Sequence, residues 1–413
     1  MARQTYPLPV SPRQRAGAVE EDLVRRDLMR CDTDTLETRP LREERALAYW
    51  QQDIPQEYWD LSGRELVERV RLARQRLGSQ LIVLGHHYQR EDIIQFADVR
   101  GDSFKLARWA AHHPEAEYIV FCGVHFMAES ADILTGSRQK VMLPNMAAGC
   151  SMADMADPDD VFASWDELAE SGLAAGTIPV TYINSAASLK AFCGRHGGIV
   201  CTSSNAAAVL RWAFGQGQRV LFFPDQHLGR NTGLKLGIGL EEMPLWDYHR
   251  PYGDLGGNTL EQLERSRIIL WNGHCSVHQR FTVEQIERAR REYPGIRVVV
   301  HPECRMEVVQ AADCDGSTEF IVRQVAESPP GSQWAVGTEI NLVHRLAVEN
   351  PDKLVFCLDP VVCPCSTMYR VHPAYLCWVV EQLAEGRIVN QVQVDEETAR
   401  HAKVALGRML GVG

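Results

Sequence analysis

Three cysteines stand out by position. Cys150, Cys275 and Cys365 each follow an apolar run and sit beside Gly or Pro, in AAGC, NGHC and CPC. They lie 125 and 90 residues apart. Three thiolates brought together from three loops suit an iron–sulfur cluster or zinc. Structural zinc usually takes four ligands in close-spaced pairs, and no C-x2-C pair occurs in this chain. A cluster on three cysteines would leave one iron open as a Lewis acid. Cys363 competes with Cys365 for the third position. The remaining cysteines, Cys31, Cys122, Cys193, Cys201, Cys304, Cys314, Cys357 and Cys377, are expected to be inert buried thiols.

Two strand ends carry titratable groups, GHHY with His86 and Tyr88, and VHPE with His301 and Glu303. Such a mixture lets a low-dielectric pocket drive pKa values apart, so that one group donates a proton while another accepts. His87 reads as packing. The turns GDSF, TSSN and GSTE put Ser103, Ser203 and Thr318 at helix starts. A hydroxyl there caps the helix, and the free N–H groups beside it attract carboxylate or phosphate.

These groups need elements to hold them. The runs LIVLG, EYIVFCG, IPVTYI, RVLFFP, RIILW, IRVVVHP and KLVFCL read as strands apolar on both faces. Helical segments such as REDIIQFADV and VEQIERARREY separate them. This pattern argues an α/β fold with parallel sheets covered on both sides. One order of features recurs three times: a strand with a polar tip, a small-residue turn opening a helix, a second tipped strand, and a strand running into a cysteine. In open α/β sheets ligands bind at strand ends, so three such units around one point would gather the tips and the cysteines.

The expected organisation is a helical extension over 1–75 and α/β repeats over 76–160, 161–276 and 277–366. A helical segment over 367–413 would pack on the repeats. A Gly-rich insertion near 231–260, in the second repeat, reads as an excursion or lid. In the extension, Ser62 with Glu65 has the spacing of a capping box.

The chain has 413 residues, 45% of them apolar and 23% charged, as in a folded globular protein. Its net charge of −11 argues against coating nucleic acid or an anionic membrane. The N-terminus has no apolar core of a secretory signal, and no run is long enough to span a membrane. The expected location is the cytoplasm. No G-x-G-x-x-G or P-loop occurs, so no bound nucleotide is indicated.

The ordered series GHHYQ, GDSFKLA, GVHFMAESADIL, AGCSMADM, TYINS, CTSSNA, FPDQHLGR, WNGHCSVH, VHPEC, DGSTEFI and CSTMYR resembles the quinolinate synthase family of NAD biosynthesis, from about Leu81 to the C-terminus. The resemblance implies three similar three-layer αβα domains around a pseudo-threefold axis. It implies a central [4Fe–4S] cluster on Cys150, Cys275 and Cys365. The implied reaction condenses iminoaspartate with dihydroxyacetone phosphate to give quinolinate, phosphate and water. An aspartate-oxidising enzyme would supply the first substrate.

Substrate-binding and acid/base positions then fall on His86, Tyr88, Ser103, Tyr182, Asn184, Ser203, His301, Glu303 and Thr318, with Met127 as a cavity wall. Glu303, Tyr88, His86 and His301 are the catalytic candidates among them. Here CPC stands where some members have C-x2-C-x2-C; the STM that follows favours Cys365. The stretch CGRHGGIVC is longer than in compact members and leaves Cys193 and Cys201 without an implied role. The competing readings are another hydro-lyase with an open-site cluster, a non-catalytic iron–sulfur redox or sensor protein, and a zinc-held scaffold.

Overall fold

Residues 53–361 and 364–412 are described by a computed structural model. Those at 53–359 and 364–412 belong to one compact unit. Short apolar runs form three parallel sheets. The first contains β1 (Leu81–His86), β2 (Val99–Gly101), β3 (Tyr118–Cys122) and β4 (Lys140–Met142), in the order β2-β1-β3-β4. The second contains β5 (Thr177–Tyr182), β6 (Ile199–Cys201), β7 (Arg219–Phe223), β8 (Leu245–Trp246) and β9 (Ile268–Trp271), in the order β6-β5-β7-β9-β8. The third contains β10 (Arg297–Val300), β11 (Cys314–Asp315), β12 (Gln333–Gly337) and β13 (Leu354–Cys357), in the order β11-β10-β12-β13. Each sheet thus repeats one wiring: the first strand lies between the second and the third, and a closing strand follows the third. β14 (Gln391–Val392) returns antiparallel onto β4.

Strand alternation makes the layers. In the third sheet Val298, Val300 and Ala335 enter one apolar cluster with Ile286 and Val308. Val299, Trp334 and Val336 enter another with Ile321, Val325 and Leu346. The two faces therefore bury different helices, which is the αβα arrangement expected from the sequence.

Two local expectations change. The helical reading of 90–99 shrinks to the helix Glu91–Ile94, and the chain then enters β2. Strands of two or three residues, such as β2 and β11, are too short to carry a period-2 signal. The stretch near 231–260 is anchored to the second sheet: Trp246 is 3% exposed in the second core, and its strand extends the sheet edge beside β9. Gly256 crosses the Trp246 ring at φ 61°, where a Cβ would come within 2.6 Å of the indole. Among the other cysteines, Cys314 and Cys357 are only partly buried, while Cys122, Cys193, Cys201, Cys304 and Cys377 are buried. Cys31 and Cys363 lie outside the described residues.

The helix Gly63–Leu77 opens with the Ser62–Glu65 capping box. Its Leu66, Val70 and Leu77 share a core with the first sheet and with helix Pro373–Ala384. Glu381 on that second helix accepts from Arg69 Nε at 2.7 Å and from the Tyr58 hydroxyl at 2.7 Å. Residues 1–52 of the expected helical extension lie outside the described residues. The C-terminal helix Glu396–Leu410 packs on helix Ala187–Arg195 at Gly194, where a Cβ would stand 2.0 Å from the His401 carbonyl oxygen. Among the described residues no helix is long and apolar enough to cross a membrane.

Candidate active site

Parallel strands deliver their polar ends to one side of each sheet. His86 ends β1 and Tyr88 follows it. Ser103 opens the helix after β2, and Met127 lies in the helix after β3. Tyr182 ends β5, Asn184 follows, and Ser203 stands beyond β6. His301 and Glu303 follow β10, and Thr318 opens the helix after β11. All of these, with Cys150, Cys275 and Cys365, line one cavity of about 80 Å3. Val124, Phe126, Met152, Ile183, Val277 and Met368 make apolar stretches of its wall. His87 stays outside the cavity and bonds Glu319 at 2.9 Å.

The cysteines share a local geometry. The carbonyls of Cys150, Cys275 and Cys365 accept the N–H of Asp154, Gln279 and Tyr369, four residues on in each case. Each thiol also faces backbone N–H groups of its own turn: Met152 and Ala153, His278, and Thr367 with Met368. Burial pushes all three thiols up, Cys150 to about 12. Among the described residues, the metal-capable donors gathered within 4.8 Å of one another are those of Cys275, His278 and Glu303; the three thiols are not such a group.

Two of the three hydroxyl turns are capped by the residue before the one singled out. Asp102 accepts from Lys105 N–H at 2.8 Å, and Ser317 from Phe320 N–H at 3.3 Å. Ser103 and Thr318 therefore line the cavity without capping those helices. In the third turn Asn205 accepts the Thr202 N–H at 2.7 Å, tightening the loop that carries Ser203.

Sequence reasoning missed two residues that connect the tips. Glu303 Oε2 lies 2.7 Å from His278 Nδ1, and His278 Nε2 lies 3.2 Å from Thr338 Oγ1. Thr338 Oγ1 also lies 2.9 Å from the Tyr88 hydroxyl. An ionised carboxylate only accepts, so His278 donates from Nδ1. Thr338 Oγ1 thus stands between His278 Nε2 and the Tyr88 hydroxyl, and either partner of each pair can donate. The result is a continuous hydrogen-bonded chain from the first sheet to Glu303. His278 stacks on His301 with ring centroids 4.5 Å apart. Its one sequence signal was its place three residues after Cys275. Thr338 had none beyond its place at the tip of β12.

Burial disfavours charge throughout. It holds His86 and His301 down at about 3, hence neutral. It pushes Tyr88 and Tyr182 well above the ordinary phenol value, so both keep their protons. Glu303 is the exception. Burial raises its pKa, but His301, His278 and the Tyr182 hydroxyl more than reverse this, so it stays a carboxylate. A buried base thus faces buried proton-bearing phenols across one cavity.

A cavity at the strand ends of three parallel sheets, with a base, acids and thiols, defines an enzyme site. The model of the family described as quinolinate synthetase A protein matches residues 68–411, and the chain belongs to that family. A quinolinate synthase of Corynebacterium glutamicum is 59% identical over 362 residues, covering 88% of this chain and 91% of its own. Those of Streptomyces coelicolor and Geobacillus kaustophilus are 56% and 52% identical. They cover 85% and 87% of this chain, and 89% and 97% of their own. The chain is an enzyme of NAD biosynthesis that acts on small molecules.

Proposed function

We propose that this chain condenses iminoaspartate with dihydroxyacetone phosphate to form quinolinate, releasing phosphate and water, in the cytoplasm beside an aspartate-oxidising enzyme. The observation that carries the reading is the single cavity onto which strand tips and cysteines of all three repeats open. Its domain limits are those read from the repeat.

The donor set fits a [4Fe–4S] cluster held by Cys150, Cys275 and Cys365. Zinc–sulfur bonds of about 2.3 Å would draw thiolates to roughly 4 Å of one another, whereas these three do not all lie within 4.8 Å of one another. N–H groups facing each sulfur offset part of the burial that raises these thiols. When bound, the cluster supplies a Lewis acid at the iron without a cysteine.

The chain's own residues do the rest. Ser103, Ser203, Thr318 and Asn184 bind the carboxylates and phosphate, helped by the helix N-termini beside them. Glu303 takes up the proton that must leave carbon as the ring closes. Tyr88 delivers a proton to the departing hydroxyl and recovers one through Thr338 and His278. His86 and His301, both neutral, orient substrate by hydrogen bonds. Phe126, Met127 and Met152 exclude water, which strengthens each of these interactions.

Anaerobic purification and assay test the reading. Brown protein with about four irons per chain that forms quinolinate from the two substrates supports it. Colourless protein with one zinc, or an iron-loaded protein that makes no quinolinate, refutes it.

A further inference from the structure

The turn that carries Tyr88 is gripped by a helix from another sheet. Helix Ile340–Glu349 follows β12 in the third sheet, whereas Tyr88 follows β1 in the first. From this helix Arg345 Nη1 donates to the His87 carbonyl at 2.9 Å, and Nη2 to the Gln89 carbonyl at 2.7 Å. Arg345 Nε donates to the Glu91 carboxylate at 3.0 Å. Asn341 Nδ2 reaches the carbonyl of Tyr88 itself at 3.4 Å. Three successive carbonyls of the turn are thus held from one helix.

Burying a guanidinium is costly unless its donors are satisfied, and Arg345 is 5% exposed. Here each guanidinium nitrogen has an acceptor. A planar fork is the group that can serve two carbonyls and a carboxylate at once; a lysine ammonium cannot. The same segment holds the other end of Tyr88, because Thr338 bonds its hydroxyl at 2.9 Å. Between them, Glu339 accepts the Cys365 N–H at 3.2 Å and the Asn341 side chain at 2.8 Å. Backbone and hydroxyl of Tyr88 are therefore fixed to one rigid element, which also holds the Cys365 turn.

We infer that Arg345, assisted by Asn341, is a positioning residue that aims the Tyr88 phenol across the cavity. This rests on the reading of Tyr88 as proton donor. Gln89 closes the grip from the far side, donating from Nε2 to the Met368 carbonyl at 3.3 Å. Nothing in the sequence marks Arg345, since it lies more than 250 positions from the carbonyls it holds.

The test is Arg345→Lys on the iron-loaded enzyme, alone and with Tyr88→Phe. A misplaced catalytic group costs on the order of 10- to 100-fold. Arg345→Lys is expected to lower kcat by that factor with KM and iron per chain unchanged, while the iron-free protein melts lower because buried carbonyls lose their donors. In the Tyr88→Phe background the same change should cost less than about twofold, because residues acting as a unit are not additive. Asn341→Ala, a milder change, should lower kcat in the same way and carries the test if Arg345→Lys does not fold. Normal kcat in both variants, losses that multiply fully with Tyr88→Phe, or a kcat loss matched by iron loss would overturn the inference. Normal turnover of Tyr88→Phe alone would instead remove Tyr88 from the chemistry, and the inference would fall through its premise.

Discussion

Replacing Glu303 by Gln removes the base at almost constant volume. Glu303 is 3% exposed, so no bulk water stands ready to replace the carboxylate. The Gln carbonyl can still accept from His278 Nδ1, now 2.7 Å from Oε2. A hydrogen bond to a charged group contributes about 1.5–3 kcal/mol and a neutral one about 1. The fold should therefore lose about 1 kcal/mol, partly offset because a buried charge is gone. That is a melting shift of about 2–4 °C or less for a chain of this size. Turnover should fall by about 10²–10⁴, the span of general acid–base catalysis, or about 2.7–5.4 kcal/mol of barrier. The assay is anaerobic steady-state formation of quinolinate by samples matched for iron per chain, beside melting of the iron-free protein. Near-normal kcat at full iron would refute the assignment of Glu303 as base. A variant that loses iron and melts far below the parent would show that the carboxylate holds the structure rather than moves a proton.

Further outcomes follow from the same geometry. Thr338→Val keeps size but breaks the hydroxyl link between Tyr88 and His278, so kcat should fall by about tenfold or more with iron retained; unchanged kcat would remove the relay. Cys150→Ser, Cys275→Ser and Cys365→Ser should each lose bound iron while Cys363→Ser keeps it, and the reverse result for the last two would exchange their roles. His86 and His301 are neutral in the fold, with pKa about 3 against an ordinary 6.5. Below pH 6.5 the unfolded chain therefore binds more protons, and stability falls as pH drops toward 3. At pH 5 each should cost about 2 kcal/mol, and melting of the iron-free protein should fall less steeply with acid in His301→Asn; equal slopes would contradict the burial argument. Gly194→Ala forces a Cβ against the His401 carbonyl. It should cost about 1–3 kcal/mol by overpacking and free the C-terminal helix for proteolysis, whereas parental melting would show that the two helices separate cheaply.

Much of the fold was readable along the chain because its signals are local. Long strands are apolar runs of four to six residues, and β1, β3, β5 and β7 lie where those runs do. The repeat was readable because every unit spends its residues in one order. The Ser62–Glu65 box was readable because a cap involves residues only three apart. Residue type and position at strand ends also singled out His86, Tyr88, His301, Glu303 and the three cysteines, and the family resemblance added Tyr182; all face one cavity.

What the tertiary structure alone decided involves partners far apart in sequence. The edge strands β2, β6, β11 and β14 exist because a neighbouring strand supplies their hydrogen bonds, not because two or three residues prefer extension. Trp246 anchors the Gly-rich stretch at the edge of the second sheet, where its indole is buried among residues far apart in sequence. Asp102 and Ser317 capped their helices, leaving Ser103 and Thr318 to face the cavity. The link from Tyr88 through Thr338 and His278 to Glu303, and the grip of Arg345 on the Tyr88 turn, join residues up to 258 positions apart. Such groups acquire their chemistry from hydrogen-bond partners, burial and lowered dielectric. Those arise only when the three sheets close on a common cavity, so no local pattern could announce them.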